Sequence, residues 1–159
     1  IMGLDMYLTR KSYVKNWEHR ETKHKINITL DGVERTDINP DRVSYIEEEV
    51  GYWRKANHIH KWYVENVQDG EDNCQESCVS IEQFEELKSI CEQVILKKDI
   101  EFNNKVLPTA SGFFFGNTEY DEWYYEVCQD TINIINEILE IEKKTPDGCS
   151  SSYYYQASW

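Results

Sequence analysis

"RVSYIEEEVGYWRKANHIHKWYVENVQ", residues 42–68, changes its hydrophobic period midway, and that change decides the fold. The first half, 42–53, reads as a strand region, with Val43, Tyr45 and Ile46 ahead of an acidic run. In the second half Ala56, Ile59, His60, Tyr63 and Val67 fall on one face at helical spacing, which predicts a helix over 55–68. Gly70, in "QDGEDN", is its expected C-terminal cap.

Upstream of this switch the period is two. Leu4, Met6 and Leu8 alternate with Asp5, Tyr7 and Thr9, so 3–14 reads as a strand. "HKINITLDGVER", 24–35, reads as a hairpin around Asp31-Gly32, a favoured two-residue turn. Downstream the period is helical. Ser80 with Gln83 forms a capping box, and Ile81, Phe84, Leu87, Cys91, Val94 and Ile95 give a helix over 80–96 its apolar face. A last helix is expected over 119–143, started by Thr118 as cap and by Glu119, Asp121 and Glu122 at its positive end. "TPDGCSS" interrupts the chain, and "SYYYQASW" closes it as an aromatic strand. Strands first, helices next and a strand last give an α+β pattern. The expectation is a single domain, 1–159, with an antiparallel sheet carrying about three helices on one face. The C-terminal strand should return to pair with an N-terminal one.

Composition narrows the function classes. The chain has 159 residues, 40% of them hydrophobic, which suits one globular domain with a sizeable core. Acidic residues outnumber basic ones 30 to 17, for a net charge of −13. Such a charge repels nucleic-acid backbones and anionic membranes, so neither is an expected partner. The basic residues concentrate early: "RKSYVKNWEHRETKHK", 10–25, reads as a solvated positive face. No apolar run reaches the roughly 20 residues that a membrane span needs. Ile1 reads as an addition ahead of a natural start at Met2, no signal-peptide pattern opens the chain, and the five cysteines read as reduced cytosolic thiols.

Two stretches carry candidate chemistry. "GYWRKANHIHKWYVEN", 51–66, packs aromatic and basic residues into an otherwise acidic chain. His60, on the apolar face, reads as a ligand contact or a general base, or else as a core histidine bonded within the fold. His58 points to another face and reads as plain surface; at i and i+2 on a helix the two imidazoles diverge, which argues against a metal site. "SGFFFGNTEYDEWYYE", 111–126, sets three phenylalanines between Gly112 and Gly116 beside a helix start. Its glycines do not match a phosphate-loop or dinucleotide spacing, so it reads either as a loop plugging the sheet or as a binding loop. "CQESC", Cys74 and Cys78, is half of a zinc knuckle without the other half, and no metal or other cofactor is expected. No nucleophile elbow or Ser-His-Asp order is present.

With both stretches in view, the chain resembles a family of small bacteriophage and prophage proteins. The matching pieces are "MGLDMYL" at 2–8, "EVGYWRKANHIHKWYVENVQDGEDNC" at 49–74, "LP" at 107–108, "SGFFFG" at 111–116, "EYDEWYYE" at 119–126 and "YYQASW" at the end. The pattern fits Tyr52, Trp53, Arg54, Lys55, Asn57, His60 and Trp62 but leaves the position of His58 variable; residues 75–105 match poorly. The resemblance names no activity. It implies a phage context, in the cytoplasm of a bacterial host, where small proteins often counter host defence.

Three readings follow. The first is a module that sequesters a small anionic, nucleotide-like ligand. Arg54 and Lys55 would meet phosphate, Trp53, Tyr120 or Tyr124 would stack on a base, Asn57 and His60 would supply hydrogen bonds, and Tyr52, Ser111 and Phe114 would complete the wall. The second is an acidic inhibitor or DNA mimic acting on a host defence protein. The third is a nucleotide hydrolase with His60 as its base. Self-association is left open. The two stretches are expected to meet in one pocket.

Overall fold

The computed structural model describes residues 3–112 and 114–159. Ile1, Met2 and Phe113, the first of the three phenylalanines, lie outside the described residues.

The fold is α+β. Strand β1, Asp5–Tyr13, is flanked on both sides by antiparallel partners, β4 (Tyr45–Arg54) and β6 (Ser150–Ser158). A short strand β5, Ser77–Val79, adds to the far side of β6, for a sheet order β4-β1-β6-β5. The C-terminal strand is therefore interior to the sheet. Between β1 and β4 a two-residue hairpin, β2 (Thr29–Leu30) and β3 (Val33–Glu34), forms its own small sheet. Its turn is the expected one: Asp31 and Gly32 both have positive φ, 53° and 76°, the geometry of a tight hairpin turn.

Among the described residues four helices follow: α1 (Asn57–Asn66), α2 (Ile81–Lys97), α3 (Ile100–Val106) and α4 (Glu122–Lys144). The alternation of β1 sends Met6 and Leu8 fully into the core, and Leu4, just ahead of the strand, follows the same pattern. Trp53 of β4 and Tyr153, Tyr155 and Ala157 of β6 join them, against Ile59 and Tyr63 of α1, Phe84, Leu87 and Cys91 of α2, and Val127, Cys128, Ile135 and Ile138 of α4. At Gly51 the close approach leaves no room for a side chain, since a Cβ would sit 2.9 Å from Ile134 Cγ2. The register of β1 on β4 slips between Leu8 and Thr9, where Val50 is the extra residue of a bulge.

Several boundaries differ from expectation. Helix α1 begins at Asn57 and not at 55, because Lys55 is left-handed (φ 55°) and ends the strand with a sharp corner. It closes on a C-cap at Val67, and Gly70 (φ 79°) sits in the turn beyond, its N–H reaching Val64 O at 2.8 Å. The cap of α4 is Asp121, whose Oδ1 accepts from Tyr124 N at 3.1 Å, so Thr118 is not the cap. Helix α3 and strand β5 were not anticipated. The α3 cap is plain enough, with Asp99 Oδ1 accepting from Glu101 N, but only Asn103 of its seven residues is buried, so it shows no apolar stripe. Strand β5 is three residues long, too short for alternation to register. The expected capping box of α2 is present, with both Ser80–Gln83 bonds made.

Candidate functional site

The corner between β4 and α1 and the loop before α4 meet, as the paired motifs suggested, and one side chain makes the junction. Asn57, fully buried at the first position of α1, donates from Nδ2 to Phe115 O at 3.0 Å and to Asn117 O at 2.9 Å. Its Oδ1 accepts from Ala110 N at 3.0 Å. A single amide thus satisfies three backbone groups of the 110–117 loop. The backbone completes the latch: Leu4 N donates to Phe114 O, and Lys55 N donates to Leu4 O. Lys55, Phe114 and Gly116 all have positive φ here, 55°, 73° and 88°. Left-handed backbone at two residues other than glycine costs about 1–2 kcal/mol each, and it persists only where surrounding structure enforces it.

Above this junction lies an open cleft of about 530 Å³, lined by Arg54, Lys55, Gly116, Asn117 and Trp123. Arg54 is held by Asp5, whose Oδ1 it meets at 3.1 Å and which also accepts from the Tyr52 hydroxyl at 2.5 Å. Lys55 is exposed and makes no ion pair among the described residues. The half-buried Trp123 offers its indole to the same opening.

The remaining predicted site residues divide. Tyr52 is exposed on the outer face of β4, its ring tilted against that of Tyr7. Ser111 and Phe114 are exposed on the loop. Tyr120, half-buried, donates its hydroxyl to Asn104 Oδ1. Trp53 and Tyr124, expected to stack on a ligand, are core: Trp53 donates its indole N–H to Thr131 Oγ1, and Tyr124 donates to Leu107 O. Asn57 is bound to the loop and leaves no group for a ligand.

His60 is also core. Its Nε2 lies 2.9 Å from Asp72 Oδ1 and its Nδ1 lies 2.7 Å from the Tyr155 hydroxyl. A carboxylate accepts, so Nε2 donates and Nδ1 accepts from Tyr155. Trp159 adds an indole N–H to Asp72 at 3.0 Å. Burial lowers the His60 pKa, against the opposing hydrogen bond to Asp72. With both ring nitrogens occupied, His60 has no lone pair for a substrate. His58 corrects the other expectation: it is 1% exposed, not surface, because its ring packs against Trp123 and Tyr124 at the start of α4. The His58 ring stacks on Tyr124 with centroids 4.2 Å apart. Cys74 and Cys78 are free thiols, and no cluster of three or more metal-ligating side chains gathers among the described residues.

Sequence reading missed Trp123 and Asn117 in the cleft, and Asp72, Tyr155 and Trp159 around His60. All five fall within or beside the motifs that carry the family resemblance, but nothing in their spacing says which will be neighbours. Comparison of the chain with protein-family models, curated proteins and solved structures gives no match.

Proposed function

We propose that this protein is a binding module for a small anionic, nucleotide-like ligand, taken at the cleft between the β4–α1 corner and the 110–117 loop. The observation that carries the reading is the convergence of Arg54, Lys55 and the Trp123 indole on one open cleft in a chain of strong negative charge. Unlike the scattered surface lysines, Arg54 and Lys55 adjoin the Asn57 latch, and Trp123 stands in the first turn of α4. Lys55 and Arg54 meet the phosphate, and Trp123 gives a ring face to the base, a contact worth about 1–3 kcal/mol. Trp123 takes the stacking role that the sequence had assigned to Trp53, Tyr120 or Tyr124. The phage resemblance supplies the biological setting, sequestration of a nucleotide immune signal. The hydrolase reading loses its base, since His60 is occupied on both nitrogens.

Calorimetric titration with a panel of mono-, di- and cyclic nucleotides tests the proposal. At least one should bind with micromolar affinity or better, and Lys55→Ala and Trp123→Ala should each weaken it about tenfold or more, the equivalent of about 1.4 kcal/mol. A panel without a binder, or binding untouched by both substitutions, rejects the cleft as the site.

A further inference from the structure

A second pocket, of about 230 Å³, opens between α1, α2 and the end of α3 and shares no lining residue with the cleft. His58 lines it, and His58 Nε2 is buried without a hydrogen-bond partner among the described residues. Burial pushes the His58 pKa down to about 3, while a hydrogen bond to the Tyr124 backbone and the charge of Asp121 act the other way. A buried ring nitrogen of this kind calls for a hydrogen-bonding group that the described residues do not supply.

The rim defines the rest of the ligand. Lys61, Lys105, Glu65 and Glu86 surround the opening, two positive and two negative charges, and Trp62 gives an apolar wall. Lys61 leans to Glu65 at 3.8 Å, while Lys105 and Glu86 make no ion pair among the described residues. A lining without net charge does not favour a polyanion. It favours a molecule that carries both signs. A cavity of about 150 Å³ accommodates benzene, so this one suits roughly nine or ten heavy atoms.

We propose that this pocket binds a free α-amino acid or a zwitterion of the same size, its ammonium meeting the glutamates, its carboxylate the lysines, and one of the two bonding His58 Nε2. The pocket shares no lining residue with the nucleotide cleft, and the two meet only where the His58 ring lies edge-on to Trp123, centroids 6.3 Å apart.

The test is an NMR titration of the full chain, with ¹⁵N-labelled histidine, against the common amino acids at millimolar concentration. Amines without a carboxylate and carboxylic acids without an amine serve as controls. At least one amino acid should shift the His58 Nε2 signal saturably and bind at least tenfold tighter than either control class. His58→Phe, which keeps a ring against Tyr124, should abolish the binding. The double variant Glu86→Gln with Lys105→Met, both exposed side chains, should weaken it about tenfold and keeps the test decisive if the core variant does not fold. No saturable shift across the panel, controls that bind as well as amino acids, or a crystal structure grown with the panel in which Nε2 meets only water, would each overturn the proposal.

Discussion

His58 and His60 stand two positions apart on α1, both 1% exposed, and differ in what their nitrogens meet. His60 is satisfied on both sides, by Tyr155 and Asp72, so its removal strands a buried tyrosine hydroxyl and opens a void. His60→Ala should therefore cost about 2–4 kcal/mol of stability in urea denaturation. Arg54→Ala, which loses one solvent-screened ion pair, should leave the urea midpoint nearly unchanged. If His60→Ala left the urea midpoint unchanged, the bonded network would be energetically idle. For His58 the sign of the pH effect is fixed by its lowered pKa. Between the ordinary value of 6.5 and about 3, the unfolded chain takes up a proton that the folded chain refuses. Stability should thus fall as pH drops through that window, by about 3 kcal/mol from this residue between pH 7 and pH 4. Urea midpoints of the wild type and His58→Phe across that range check it: the variant should show the shallower loss.

At the scale of elements, caps and latches fix where helices begin. The capping box of α2 satisfies two backbone donors at once, and Ser80→Ala should destabilise the protein by about 1 kcal/mol, read from chemical denaturation. Asn57 does more, since it joins the start of α1 to a loop more than fifty residues away. Asn57→Ala leaves two carbonyls and one N–H without their partner. It should raise hydrogen exchange across 110–117 well beyond its effect on the sheet, and should weaken ligand binding at the cleft without touching Lys55 or Arg54. Unchanged exchange in that loop would show that the backbone bonds to Leu4 hold it alone.

At the scale of the molecule, the chain end closes the structure. Strand β6 lies between β1 and β5, and its Tyr155 stacks on Tyr63 at 3.9 Å while bonding His60. Deleting residues 150–159 removes an interior strand with three buried residues, Tyr153, Tyr155 and Ala157. The truncated chain should lose cooperative unfolding and near-ultraviolet circular dichroism, an outcome quite unlike the trimming of a loose tail.

The class of fold, the positions of β1, α1, α2 and α4, the hairpin turn and the return of the last strand were all legible in the sequence, because each rests on a period or a cap carried by neighbouring residues. Short α3 and β5 escaped, since seven and three residues are too few to show a period. That the two aromatic-rich stretches form one corner was also foreseeable from their shared character. Which of their side chains face outward was not. Trp53, Asn57, His60 and Tyr124 turn into the core while Arg54, Lys55 and Trp123 line the cleft, and His58 is buried against α4. Local pattern gives the face of an element a residue lies on. Only the packing of α1 between the sheet and the start of α4 decides which faces are covered, and so which groups are left for a ligand.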